Sequence, residues 1–207
     1  MRHLVVPPER WDRWYAGFDA RHHPVEVHVA AGVLHLTGAD GAYAEVRAPY
    51  GRAIEELGAL PGLLAPPDDW GVLLARKAGH AVARLHGTTP VATKVSRRHV
   101  QGRSKAGGQS QQRFARRRDN QAKASYAAAA DRAALLLLDP APVPLLLVGG
   151  DRAALAAVLD DHDLRALPDP VPDVALTFPI PSQDALLAAI REAQGVRVAI
   201  HDPERDQ

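Results

Sequence analysis

The sequence contains no cysteine, and this absence excludes disulfides and thiolate chemistry. It also lacks any run near 18 apolar residues, the length that a transmembrane helix requires. The longest apolar stretch, around Ala133–Leu138, has the length of a buried helix segment. The first residues carry no apolar signal-peptide core. Together these absences predict a cytoplasmic protein that does not span or enter a membrane.

Several catalytic and binding patterns are missing as well. The sequence has no Gly-x-Ser-x-Gly elbow of a serine hydrolase and no His-Glu-x-x-His zinc pattern. The run Val148–Asp151 has two glycines but not the spacing of a P-loop, so an ordinary strand-to-helix turn is the favoured interpretation. His22, His23, His28 and His35 show no ligand spacing. We therefore expect no metal and no cofactor.

Charge is distributed unevenly along a chain that is almost neutral. The 207 residues carry a net charge of +1, with 46% hydrophobic and 24% charged residues, as in an ordinary globular protein. The segment Lys94–Lys123, however, contains ten Lys and Arg residues and a single acid, Asp119, so that it carries a net charge of +9. The remainder, with 15 basic and 23 acidic residues, carries −8. Such a local excess is typical of a polyanion site, and nucleic acid is the expected partner.

Residues 1–65 are predicted to form a small N-terminal extension, a helix followed by a β-meander. Trp11, Trp14, Tyr15 and Phe18 follow helical spacing and are interpreted as core rather than as a base-stacking platform. The Pro-rich stretch Leu60–Asp69 is interpreted as a linker. The predicted elements are a helix at Pro8–Ala20, strands at Val25–Ala30, Val33–Thr37 and Ala42–Ala48, and a helix near Arg52–Leu60.

Residues 70–207 are predicted to form an α/β domain with a mixed sheet. A basic, Gly-rich loop at about 97–110 follows three strands, and the longest helical pattern of the chain, about Ser110–Leu138, follows the loop. Strand and helix then alternate, which predicts a sheet with a parallel part. The predicted strands are Val72–Arg76, Ala81–His86, Val91–Val95, Pro144–Val148, Val174–Phe178 and Val196–His201, and the two later helices are Arg152–Leu159 and Gln183–Ala193.

The loop carries the most specific signal. Gln101–Arg116 reads Gln-Gly-Arg-Ser-Lys-Ala-Gly-Gly-Gln-Ser-Gln-Gln-Arg-Phe-Ala-Arg. This run resembles domain 2 of the archaeal and eukaryotic class-1 peptide-release factors, where a Gly-Gly-Gln loop precedes a Ser, a basic residue, Phe-Ala-Arg and a long helix. The resemblance extends from about Trp70 to the C-terminus, because the order of elements also matches. Within this superfamily the chain resembles the Vms-like release factors, in their actinobacterial branch, which are peptidyl-tRNA hydrolases of ribosome quality control.

The residue types suit the chemistry that this resemblance implies. Gly107 and Gly108 have no Cβ, so their backbone can approach a substrate closely. The neutral amide of Gln109 is no general base at pH 7, but it can position water against an ester carbonyl while a backbone N–H stabilises the oxyanion. Gly107, Gly108 and Gln109 are thus the expected catalytic residues. The basic side chains expected to contact RNA phosphates are Arg97, Arg98, Arg103, Lys105, Arg113, Arg116, Arg117 and Arg118.

The expected function is codon-independent hydrolysis of peptidyl-tRNA on stalled large ribosomal subunits, by a monomer that contacts ribosomal RNA and the tRNA acceptor end. The residues before Trp70 do not resemble a stop-codon domain, and nothing after Gln207 would recruit a GTPase. A non-catalytic ribosome- or RNA-binding surveillance factor with the same fold is the alternative that stays open. A nuclease is disfavoured because no paired carboxylates lie near the loop.

Overall fold

The structure is a computed structural model that describes residues 1–97, 109–172 and 174–203. The elements of the described residues are, in chain order, β1 (Arg2–Val6), α1 (Trp11–His22), β2 (Val25–Ala30), β3 (Val33–Gly38), β4 (Tyr43–Arg47), α2 (Leu60–Leu63), β5 (Asp69–Arg76), β6 (Gly79–His86), β7 (Thr89–Arg97), α3 (Gln109–Leu137), β8 (Leu146–Gly150), α4 (Arg152–Leu159), β9 (Ala175–Leu176), α5 (Gln183–Gln194) and β10 (Val196–His201). None of the helices in these ranges has the length and apolar character needed to cross a membrane.

The chain divides into two compact units. Unit 1 comprises Met1–Pro66 together with Arg191–Gln207, and unit 2 comprises Pro67–Ile190. This division differs from the expectation that 70–207 forms a single catalytic domain. The physical reason is the pairing of β10, which hydrogen-bonds to β1 on one side and to β4 on the other. The last strand of the chain therefore belongs to the N-terminal sheet.

Unit 1 is a five-stranded antiparallel sheet covered on one face by α1. The strand order is β1-β10-β4-β3-β2. Alternate residues of the three central strands point inward, including Leu34, Leu36 and Val198, and they share one core with Phe18 of α1. The prediction that the four aromatic residues belong to the core is confirmed, because Trp11 and Phe18 are buried and Trp14 and Tyr15 pack against the same core.

Two features of unit 1 differ from the expectations. The helix predicted near Arg52–Leu60 is wrong: 3-10 turns occupy Pro49–Gly51 and Leu57–Ala59, and α2 follows them. Tyr50 and Gly51 both take positive φ, which ends any helical run there. The Arg52 guanidinium instead donates to the carbonyls of Leu63 and Ala65 and ties the segment down. Strand β1 was not predicted.

Unit 2 contains a mixed sheet with the strand order β7-β6-β5-β8-β9. The β5-β6 and β6-β7 pairs are antiparallel, whereas β5-β8 and β8-β9 are parallel. Parallel pairs need a crossover, and α3 and α4 supply the crossovers into β8 and β9. The predicted α/β class with a mixed sheet is confirmed.

Helix α3 is packed on this sheet through small residues. Ala129, Ala130, Ala133 and Leu137 are buried at helical spacing and share a core with strands β5, β6 and β8 and with α4. Small side chains let a helix approach a sheet closely. The predicted helix at Ser110–Leu138 is therefore confirmed within one residue at each end.

Gly79 has a specific role where β5, β6 and β7 meet. Its φ is +144°, and an added Cβ would collide with the Ser96 carbonyl oxygen of β7. We expect Gly79→Ala to lower the free energy of unfolding by about 2–3 kcal/mol, because the new methyl forces β7 away and strains the backbone. Gly17→Ala, in α1 where the Cβ meets nothing within 4 Å, should be neutral or stabilising. Chemical denaturation measures both, and equal effects would contradict the role assigned to Gly79.

Two leucines of α3 test how the helix is anchored. Leu137 is 0% exposed, and its Cδ2 lies 2.8 Å from the position a Cβ on Gly71 would take, whereas Leu135 is 56% exposed. We predict that Leu137→Ala destabilises the protein by about 2–5 kcal/mol through lost burial and a cavity. Leu135→Ala should change stability by less than about 0.5 kcal/mol. Thermal unfolding of the two variants gives the comparison, and similar midpoints would refute the anchoring.

Candidate functional site

The Gly-Gly-Gln motif lies in the sequence between the end of β7 and the first residue of α3. Strand β7 ends at Arg97 and α3 begins at Gln109. Gly107 and Gly108, together with Arg98, Arg103 and Lys105, lie outside the described residues. The predicted catalytic glutamine is thus the first residue of the longest helix of the described chain.

The described residues of the first half of α3 are less buried than those of the second half. Among the residues of the helix whose burial is described, the buried ones begin at Ser125, and those from Arg116 to Ala124 are exposed or only partly buried. Sixteen residues, Gln109–Ala124, precede this anchor, and at 1.5 Å per residue they span about 24 Å. The helix therefore carries Gln109 well ahead of its packed end.

The anchored half of α3 is fixed by contacts with α4 and the sheet. Burial, and then the nearby Asp151 carboxylate, raise the pKa of the Tyr126 phenol above its ordinary value. Tyr126 packs at the margin of the core that contains Ala129 and Ala133. Asp151 itself caps α4, since its Oδ1 accepts a hydrogen bond from the Ala154 N–H at 3.0 Å. Rigid support at this end defines where the other end of the helix lies.

The structure places part of the predicted RNA-binding set. Arg97 is exposed at the end of β7, and Arg116 is exposed on α3. Arg113 and Arg117 belong to the same helix, and positions three or four apart share one side of a helix. Arg113, Arg116 and Arg117 therefore stand at positions of the helix that share one side, and Arg118 follows them in the sequence.

The edge of the sheet that carries the loop also carries basic residues that sequence reasoning missed. Strands β5, β7, β8 and β9 point the same way, so they all end at this edge. Gly79 pairs with both Arg76 and Arg97, and Ala75 pairs with Gly150. Lys77 follows β5, Arg152 follows β8, and both are exposed. Neither residue lies in a cluster of basic residues along the sequence, so the sequence alone provides no signal for it.

The two glycines before α4 serve strand packing. A Cβ on Gly149 would collide with the Leu176 carbonyl oxygen, and a Cβ on Gly150 would collide with that of Ala75. The N-terminus of α4 is already capped by an acidic side chain, which disfavours an anion there. The interpretation of Val148–Asp151 as an ordinary strand-to-helix turn is confirmed.

Two of the histidines in unit 1, His22 and His35, have hydrogen-bond partners within the same unit. Nδ1 of buried His22 lies 2.7 Å from Oδ2 of Asp40, and this hydrogen bond is the main cause that lowers the pKa of the Asp40 carboxyl. Nδ1 of His35 lies 2.6 Å from the Tyr43 hydroxyl. Within the part of the chain that the structure describes, no three His, Asp or Glu residues come together in a way that could hold a metal ion.

A groove of about 650 Å³ lies at the opposite edge of the unit 2 sheet. Its walls include Asp69 and Arg84, which form an ion pair at 2.6 Å, and Leu135 and Asp139 near the end of α3. The groove is therefore at the far end of α3 from Gln109, and it is not part of the loop's site.

Comparison with known families agrees with the resemblance to release factors found in the sequence. No curated protein sequence matches the chain significantly. A family model described as Actinobacteria/chloroflexi VLRF1 release factor matches residues 68–199, which include all the strands of the mixed sheet, the whole of α3 and most of β10. This match confirms the family predicted from the residues around Gln109 and gives the chain a release-factor-like role in translation. The chain belongs to the Actinobacteria/chloroflexi VLRF1 release factor family.

Proposed function

We propose that the protein is a peptidyl-tRNA hydrolase that releases nascent chains from stalled large ribosomal subunits without reading a codon. The observation that carries this proposal is the position of Gln109 as the first residue of α3, directly after Gly107 and Gly108, in a member of a release-factor family. A decayed loop would be expected in a purely binding factor. The intact Gly-Gly-Gln therefore favours hydrolysis over the non-catalytic alternative.

The reaction cleaves the ester that joins the nascent peptide to the terminal ribose of tRNA. Water attacks the carbonyl carbon, the C–O bond to the ribose breaks, and the ribose oxygen leaves with a proton. Gln109 orients the water, and its backbone N–H faces the developing oxyanion. Ribosomal RNA and the tRNA ribose complete the site, so the isolated protein should be nearly inert on a free ester.

The helix explains how such a loop reaches an enclosed ester. Its packed half is fixed in unit 2, and its first 16 residues extend ahead of the anchor. Basic residues on this extension, Arg113, Arg116 and Arg117 among them, pair with RNA phosphates and hold the loop in position without reading bases. Binding energy from these contacts places Gln109 at the reacting carbonyl.

Replacement of Gln109 tests the catalytic assignment. We expect Gln109→Ala to slow peptide release from large subunits carrying peptidyl-tRNA by on the order of 100-fold, as when one oxyanion or water-positioning group is removed. Release is measured as free peptide against time at saturating protein. Gln111→Ala, two residues along the same helix, is the matched control and should release at the wild-type rate.

The outcomes separate the two function classes. Equal release by wild type and by Gln109→Ala would overturn the mechanism. Binding of large subunits without any release by wild type would favour the surveillance factor instead.

Salt dependence tests the phosphate contacts of the helix. Affinity for large subunits should fall steeply between 50 and 200 mM salt, and Arg116→Ala should reduce the slope of log K against log salt by about 0.7–0.9. Asp119→Ala, which removes the only acid between Lys94 and Lys123, should instead tighten binding. Sedimentation with large subunits measures both variants, and a flat wild-type salt profile would show that the basic segment is only a solvated surface.

A further inference from the structure

The fold of unit 2 separates charge between the two edges of its sheet. Strands β5, β7, β8 and β9 all end at the edge from which the chain continues toward Gln109, called here the loop edge. The same strands begin at the opposite edge, called the far edge. Because α3 and α4 connect the ends of strands to the beginnings of parallel neighbours, both helices end at the far edge.

The far edge is acidic. Asp68 precedes β5, Asp69 begins it, Asp139 follows α3, and Asp160 follows α4. Asp161 and Asp163 continue in the 3-10 turn at His162–Leu164, which packs beside the end of α3 through Leu164. Of the described basic residues near this edge, Arg84 is paired with Asp69, and Arg165 is exposed. Acids that are scattered over nearly a hundred residues of sequence thus lie together.

The loop edge is basic. Arg76 ends β5, Lys77 follows it, Arg97 ends β7 and Arg152 opens α4. The Arg76 guanidinium donates to the neutral carbonyls of Phe178 and Pro179, which leave its charge uncompensated.

Acids at the loop edge do little to offset these charges. Among the described residues, neither Lys77 nor Arg97 nor Arg152 forms an ion pair. Of the described acids near this edge, Asp151 caps α4, and Asp184 is exposed in the first turn of α5.

The basic positions are spread along the width of the sheet. From β7 to β8 the loop edge crosses β6 and β5, which at about 4.8 Å per strand makes roughly 14 Å. A row of separated cations along an edge fits an extended polyanion better than a single small anion. The acidic far edge repels the same polyanion. Unit 2 therefore binds it favourably only in the orientation in which the loop edge faces the polyanion.

We propose that the loop edge of unit 2 is a second RNA-docking surface, on which Lys77 and Arg152 contact the phosphate backbone of large-subunit ribosomal RNA. This inference rests on the proposed function, because that function brings the loop edge to the large subunit. Ribosomal RNA is the partner since about 24 Å of helix separates Gln109 from Ser125, the first of the described buried residues of α3. If Gln109 reaches an ester at the end of this length of helix, the RNA of the large subunit surrounds the helix. The same RNA then contacts the loop edge, from which the chain continues toward Gln109.

The test compares charge removal at the two edges. Lys77→Gln with Arg152→Gln should reduce the salt slope for binding vacant large subunits by about 0.7–0.9 for each side chain. Arg165→Gln at the far edge is the matched control and should leave the slope at its wild-type value. Asp184→Asn removes a negative charge from the loop edge and should therefore tighten binding at low salt.

The readouts distinguish failure of this inference from failure of the proposed function. Gln109→Ala should bind with the full wild-type slope while losing release, whichever edge contacts RNA. An unchanged slope for Lys77→Gln with Arg152→Gln, or an equal loss for Arg165→Gln, overturns the docking surface and leaves the hydrolase proposal standing. A loss seen with free tRNA but not with vacant subunits assigns the contacts to tRNA and overturns the inference as well.

Discussion

The close packing of one face of α3 on the unit 2 sheet is the contact on which the rest of the candidate site depends. Ala129, Ala130, Ala133 and Leu137 are buried there. They are mostly alanines, so the helix axis lies near the sheet and the helix cannot shift without losing several contacts together. Among the residues of α3 whose burial is described, the buried ones lie in its C-terminal half. A rigid element anchored at one end is a suitable support for a reactive residue that must act away from the body of the protein.

Helix α3 combines an apolar half, which packs in the core, with a polar and basic half. The anchored half of α3 is apolar and belongs to the core, whereas the first turns contain the basic residues and Gln109. A helix rich in alanine tolerates both environments, because alanine has the highest intrinsic helix propensity and needs no specific neighbour. One continuous helix therefore joins a stable core to the surface for which we propose RNA contacts. A catalytic residue on a loop alone would be held less firmly relative to the core.

Much of unit 2 could be predicted because its signals are local. Helix α3 is free of Gly and Pro, and its bounds were predicted within one residue. The Gly-Gly-Gln run and its basic neighbours are contiguous, so the family was predicted from them and the match to residues 68–199 confirms it. The catalytic and RNA-binding roles of those residues stay predictions. Lys77 and Arg152 could not be found in this way, since only strand pairing brings them to the edge where Arg97 ends β7.

The errors in unit 1 arise from long-range pairing and from backbone detail. The alternating sequence of β10 predicts a strand correctly but does not specify its partners, which are β1 and β4 rather than the strands of unit 2. The segment Arg52–Leu60 contains enough apolar residues for a helix, yet the positive φ of Tyr50 and Gly51 and the hydrogen bonds of Arg52 determine its path. A periodic pattern reports neither kind of constraint.

The position of β10 also bears on how the protein is made. Strands β1 and β4 emerge from a ribosome early, but β10, which lies between them, emerges after the whole of unit 2. Until then the first sheet has a gap with two unpaired strand edges, while unit 2 can already complete its own sheet and core. Unit 2 is thus expected to fold first, and the N-terminal sheet last, in the reverse of their order of synthesis. A chain that terminates before β10 would have an intact mixed sheet and an open N-terminal sheet, a species prone to association through its unpaired strand edges.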